Sequence, residues 1–320
     1  MLQKTVFLFS LFFSQLIIAQ NSFELLDAAY RNDEKKVYYL LKGGADANFA
    51  DDNNVTPLMY VVDNNNLYLT KLLIKYGAEV NKVPDNGVTA LLSAVKGNYP
   101  EILELLLKNN ANPNVSDEYG NSSLMLAAAY GYPLVAAYLC SYGADISYSN
   151  VYGTDAAMIA AWYNDTDILQ VLWDYYADFN SKDDFGFTPL MIASQQGNTE
   201  AVKFLTENGA KLNSINSENL NALDMALLHF HSETAEYLIR RGLSNHQIND
   251  NISTYDIVKY KELNNLLKYF EKKESDKKSK HHKLLNKYFN FADKNIPSEI
   301  FEIKKKRNRH LTIGYLNSSL

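Results

Sequence analysis

Apolar and polar positions recur along this chain with a period of 33 residues, and each period holds the pattern of two short helices and a loop. Stepping by 33 from Thr56 meets Thr56, Thr89, Ser122, Asp155, Thr188, Asn221 and Thr254. Each has a side-chain oxygen that can accept a bond from an orphan N–H of a helix's first turn, so each predicts a helix start. Taking these residues as position 1, Pro57 and Pro189 stand at the first helical position, where proline's missing N–H costs nothing. Apolar residues at positions 3 and 4 and a small one at 6 (Leu190, Met191, Ala193) supply a core face. Position 10 reads Asn32, Asn65, Asn98, Gly131, Asn164 and Gly197, types that tolerate a left-handed helix end. Phe230 breaks that series and predicts a distorted turn there. The second helix carries Leu40, Leu73, Leu106, Leu139, Leu172, Leu205 and Leu238 at position 18. It closes at Gly44, Gly77, Gly143, Gly209 and Gly242, with Asn110 and Tyr176 as substitutes. A loop follows, with Gly87, Gly120, Gly153 and Gly186 at its tip.

Two helices of this length bury too little surface to stand alone, so neighbouring units must stack on a shared core. The segment from Gly186 to Ala193, Gly-Phe-Thr-Pro-Leu-Met-Ile-Ala, resembles the G-x-T-P-L-H-x-A signature of the ankyrin repeat family, with Met in place of His. Gly44-Ala45-Asp46-Ala47-Asn48 and Gly77-Ala78-Glu79-Val80-Asn81 resemble its G-A-D-x-N turn. The resemblance runs from Phe23 to Phe270: a capping unit over Phe23 to Phe49, six fuller units and a shortened last one from Ser253. It implies an all-α, curved α-solenoid of helix-turn-helix units with hairpin-like loops. It also implies a protein-binding role, here for an exported bacterial member. No unit has the family's His at position 4, and Asp155 and Asn221 replace its Thr.

The N-terminus changes the picture of where this module works. Lys4 precedes an apolar run from Val6 to Ile18, broken only by Ser10, Ser14 and Gln15, and Ala19 offers a small residue for cleavage. That is the layout of a secretory signal peptide over residues 1–19, and the run is short for a membrane span. The expected division is therefore signal peptide 1–19, repeat solenoid 20–270 with seven to eight units, and a flexible tail 271–320. Export to the periplasm or cell envelope is the expected destination, with secretion as the alternative. A single cysteine among 320 residues excludes an intramolecular disulfide framework.

Candidate chemistry is sparse. The chain has no Walker A loop, no Gly-x-Ser-x-Gly elbow and no His-Glu-x-x-His. His229 and His231, two residues apart, are expected to point in different directions, and His281-His282 sits in a charged lysine run. Cys140 reads as a small buried hydrophobe. Asp51-Asp52 and Asp183-Asp184 lack the glutamate and spacing of a calcium loop. No catalytic residue, metal site, cofactor or small-molecule substrate is expected.

What remains is surface. In stacks of this kind partners meet the loop tips and the end of the first helix, positions that here carry Tyr119, Tyr130, Tyr152, Trp162, Tyr163, Phe185 and Phe187. They predict an aromatic stripe on the concave side that docks another protein, since large aromatics dominate interface energetics. The outer units are polar at these places, as at Asp63, Asn64, Lys96, Gln195 and Gln196. The bland reading is that 23 tyrosines make aromatics common and that some of these pack between units. Charge adds a second cue. The overall net charge of −6 hides a tail from Glu271 to Leu320 with 13 Lys and Arg against 6 Asp and Glu. Its cluster Lys304-Lys305-Lys306-Arg307 allows weak contact with an anionic surface, while the absence of an interleaved aromatic platform disfavours nucleic acid. The expected function is a non-enzymatic protein-interaction module outside the cytoplasm. The alternative is a secreted effector that binds host or competitor proteins, with the tail contributing to targeting.

Overall fold

The computed structural model describes residues 18–249, 252–260 and 266. The core of the expected signal peptide, the basic tail and His281-His282 lie outside them. The described residues fall into two compact units: one up to residue 127 together with 134–145, the other of residues 128–133 and those from 146 onward.

In the first unit, helix pairs follow one another: α1 (residues 18–30) with α2 (Glu34–Lys42), α3 (Pro57–Asp63) with α4 (Leu67–Lys75), and α5 (Ala90–Gly97) with α6 (Pro100–Lys108). First helices pack on first helices (α3 on α5) and second on second (α2 on α4, α4 on α6). Helices α7 (Ser123–Tyr130) and α8 (Pro133–Ser141) come next. The second unit repeats the plan with α9 (Ala156–Tyr163) and α10 (Thr166–Asp174), α11 (Pro189–Gln196) and α12 (Thr199–Glu207), and α13 (Ala222–Leu228) and α14 (Ser232–Arg240). Here α11 sits between α9 and α13, and α12 between α10 and α14. A small hairpin of β1 (Gln247–Asn249) and β2 (Ile252–Ser253) leads into α15 (Thr254–Tyr260), which packs on α13.

The two helix types differ as their sequences require. Along α9 residues 156 to 162 are all buried, because a first helix is covered on every side, and such a helix is apolar all round. The second helix α10 buries only Ile168, Leu169 and Leu172, one stripe of an amphipathic surface. Leu73, Leu106, Leu139, Leu172, Leu205 and Leu238 are fully buried, each worth about 1.5–3 kcal/mol of transfer free energy. Leu40 is half-buried.

Six helix starts follow the expected cap. Thr56, Thr89, Ser122, Asp155, Thr188 and Asn221 each accept an N–H from the first turn, at 2.8 to 3.4 Å. Thr254 does not. It opens α15 itself and donates its hydroxyl to buried Asp224 at 2.7 Å, while Asp256 accepts from the Ser253 N–H at 2.9 Å. The distorted turn expected at Phe230 is also absent. Phe230 takes the left-handed conformation, φ 63°, that Asn and Gly take at the same place in other units, so the repeat geometry overrides the residue's own preference.

Neighbouring repeats are stitched by a side chain whose role the sequence reading left unassigned. Asn48 donates through Nδ2 to the Gly77 carbonyl at 2.9 Å and accepts from the Glu79 N–H at 2.7 Å. Asn81, Asn114 and Asn180 repeat this pair of bonds to residues 29 and 31 places ahead. These are the asparagines of the Gly-Ala-Asp-x-Asn turn, and they bond successive turns in a chain that lacks the position-4 histidine.

Candidate functional site

The loops are built on one repeated device. Asp51, Asp117, Asn150, Asp183 and Asn216 each place a side-chain oxygen so that it accepts the backbone N–H groups two and four residues later. The acidic pairs Asp51-Asp52 and Asp183-Asp184 thus owe one member each to loop construction. Among the described residues no group of three or more His, Cys, Asp or Glu is arranged to hold a metal ion. Pro84 takes this place in one loop, which is built without the anchor.

In the second unit, the loop tips are tied to each other. The Asp184 N–H donates to the Tyr152 carbonyl at 3.3 Å and the Ser217 N–H to the Phe185 carbonyl at 2.9 Å. The approach is close enough that a Cβ on Gly153 would lie 2.8 Å from the Asp184 nitrogen. Tyr152 and Phe185 therefore ride on a held backbone. Tyr152 is 41% exposed, and Tyr130, Tyr163 and Phe185 are half-buried. Tyr130 stacks on Tyr132 with centroids 5.6 Å apart. Trp162 and Phe187 are different: only 8% and 4% of their surface is exposed, so these two expected contact residues are core. Trp162 lies on a helix covered all round, and Phe187 precedes the buried cap Thr188. Tyr119, in the first unit, is 49% exposed.

The first unit holds a cavity of about 450 Å³, lined by Met59, Tyr60 and Asp63 of α3, Pro84 and Val88 of the loop, and Lys96 and Tyr99 around the end of α5. Tyr60 donates its hydroxyl to Asp51 Oδ2 at 2.7 Å, and the edge of its ring meets Tyr30 at 5.3 Å. That hydrogen bond, with burial, pushes the Tyr60 phenol up to about 12. On Asp51, burial acts to raise the carboxyl, but the bonds from Tyr60, Val55 and Asn53 outweigh it and hold it below the ordinary carboxylate range. The Tyr99 ring occupies the space over Gly97, where a Cβ would come within 2.3 Å of it.

Three ionisable groups could suggest catalysis and are instead structural in their surroundings. Burial pushes the Cys140 thiol up to about 12, so it stays protonated. His229 and His231 flank the Phe230 turn and do not share one helix; their rings stack at 6.4 Å, contrary to the expectation that they point apart. His246 Nδ1 lies 3.1 Å from Oδ2 of Asp224, which also accepts from the Asn221 N–H, while Oδ1 takes the Thr254 hydroxyl. The bond to Asp224 raises the His246 pKa, and the group fastens the hairpin and α15 to α13. The sequence reading missed this group, whose members lie 22 and 30 residues apart.

A family model of ankyrin repeats, in three copies, matches residues 25–117, 97–183 and 157–251. The chain belongs to the ankyrin repeat family, and its fold is the all-α repeat solenoid of that family. Ankyrin repeats are in general protein–protein interaction modules, and proteins built from them are typically non-enzymatic scaffolds. No curated protein matches the chain.

Proposed function

We propose that this protein is a non-enzymatic interaction module that works outside the cytoplasm and docks a partner protein on the loop tips and first-helix ends of its second unit. The observation that carries this is the set Tyr130, Tyr152, Tyr163 and Phe185: partly exposed aromatics, of which Tyr152 and Phe185 ride on loops whose backbones are bonded to neighbouring loops and Tyr130 and Tyr163 end the first helices α7 and α9. Large rings offer contact area at low entropic cost, and a held backbone lowers the ordering cost of binding. Trp162 and Phe187 support the surface from beneath.

Export rests on Lys4 and the apolar run from Val6 to Ile18, followed by Ala19. Cleavage after Ala19 leaves Ser22 in the mature chain, where its Oγ accepts from the Asp46 N–H at 2.9 Å and joins the first helix to the following turn. No helix among the described residues is long and apolar enough to cross a membrane.

Affinity capture from envelope and medium fractions tests the reading, with the parent compared against a Tyr152→Ser/Tyr163→Ser variant of equal helicity. A partner held by the parent and lost by the variant is the expected result. Its fraction of origin separates an envelope role from the alternative, secretion as an effector. A partner held equally by both places the docking surface elsewhere.

A further inference from the structure

We propose that the cavity of the first unit receives an extended segment of the partner that carries one basic and one acidic side chain three residues apart. The inference rests on the protein-binding reading above and assigns chemistry to a separate site, at Asp63 and Lys96.

Asp63 and Lys96 stand at the same position of successive first helices, α3 and α5, and both line the cavity. Both are exposed, and neither joins an ion pair among the described residues. An unpaired carboxylate and an unpaired ammonium thus face one cavity from adjacent repeats. The same cavity is lined by the rings of Tyr60 and Tyr99 and by the apolar Val55, Met59, Pro84 and Val88. Tyr60 is fixed before any ligand arrives, by Asp51 on its hydroxyl and Tyr30 on its ring. A tyrosine face beside a carboxylate favours a guanidinium or ammonium, which gains from both. Lys96 calls for a carboxylate, so the cavity is complementary to a pair of opposite charges.

The spacing follows from backbone geometry. Packed helices lie about 8–10 Å apart. A polyproline II segment has three residues per turn and rises about 3.1 Å per residue, so side chains three apart share a face about 9 Å apart. In a β-strand the same-face neighbours, two residues apart, are separated by only about 6.8 Å. The repeat step therefore selects a separation of three in a polyproline-like segment. Its basic end is drawn to the α3 side, where exposed Asp52 adds negative charge in the loop before that helix.

Capped, fluorescein-labelled octapeptides centred on Arg-Pro-Pro-Glu, Arg-Pro-Pro-Arg, Glu-Pro-Pro-Glu and Ala-Pro-Pro-Ala test this by anisotropy against the full chain. The parent should bind the mixed-charge peptide at least tenfold more tightly than the others. Lys96→Glu should switch the preference to the doubly basic peptide, and Asp63→Lys to the doubly acidic one. Such gains cannot come from misfolding. Equal binding of all four peptides, no binding at all, or a preference that ignores both substitutions overturns the proposal. A protein partner lost on Tyr152→Ser/Tyr163→Ser, while no peptide binds, would refute this site and leave the docking surface standing. Peptide selection without any captured partner would do the reverse.

Discussion

Position 8 of the repeat is exposed in the first unit, as Tyr30 and the charged Asp63 and Lys96, but in the second it is Ala129, Trp162, Gln195 and Leu228, all buried. The backbone around it is the same in both: a capped first helix, a left-handed turn and a second helix. The difference therefore lies in the side chains. A lysine or aspartate stays in water because desolvating an unpaired charge costs several kcal/mol. A tryptophan or an amide can fold against the stack. The first unit keeps an open, mixed-charge cavity at this position, while the second buries the position and leaves Tyr152, Tyr163 and Phe185 partly exposed. A repeat position does not have a fixed exposure; its occupant decides.

Removing a core leucine from each unit probes whether the shared plan has a shared strength. Leu106→Ala and Leu172→Ala, both at fully buried positions, should each cost about 2–5 kcal/mol through the cavity left behind. Hydrogen exchange should rise first in the unit that carries the change, because repeat arrays are stabilised by nearest neighbours. Exchange that rises equally in both units would show one indivisible cooperative block.

Asp155 sharpens the comparison from the second unit. Its carboxyl caps α9 from a buried position, and burial raises its pKa against the bonds from Ser181 and the Met158 N–H. With the folded pKa raised, the folded chain holds the proton more tightly than the unfolded chain. Stability then falls as pH climbs from the ordinary carboxyl value of 3.8 through the raised one. Asp155→Asn, an equally good cap, should raise the melting temperature at pH 7, with the gain shrinking as pH is lowered toward 4. Thr89→Asn in the first unit replaces a neutral cap and should show no such pH dependence. A gain that is the same at both pH values would contradict the burial argument.

The smallest effect is expected at Tyr60. Tyr60→Phe removes one partly buried hydrogen bond to Asp51, worth about 0.5–1.5 kcal/mol. Because the phenol is raised from 10 to about 12, the parent's advantage should persist below pH 10 and fade as pH rises toward 12. An advantage unchanged across that range would mean that the Asp51 bond does not control Tyr60.

Much of the fold was legible because its signals are local. A cap oxygen acts within three residues, and a left-handed turn is read from Asn or Gly at a fixed place. Phe230 shows the limit, since stacking imposed on it a conformation its type disfavours. The asparagine stitches and the Asp224–His246–Thr254 group were not legible, because their partners lie more than 20 residues away; the Gly-Ala-Asp-x-Asn turn marks the asparagines but not what they bond. The candidate surface was legible in part. Aromatic enrichment marked the rings, but residue type does not tell an exposed Tyr152 from a buried Phe187. The cavity escaped notice because Asp63 and Lys96 read as ordinary polar surface until the stack placed them beside Tyr60 and Tyr99.

The most direct test of the account is site-specific photo-crosslinking in the producing cell. A benzophenone side chain would be placed at Tyr152 on the loop tips or at exposed Trp173 on the second helix α10. The account predicts that one protein partner crosslinks at Tyr152 and not at Trp173. Crosslinking of the same partner at Trp173, with none at Tyr152, would contradict it.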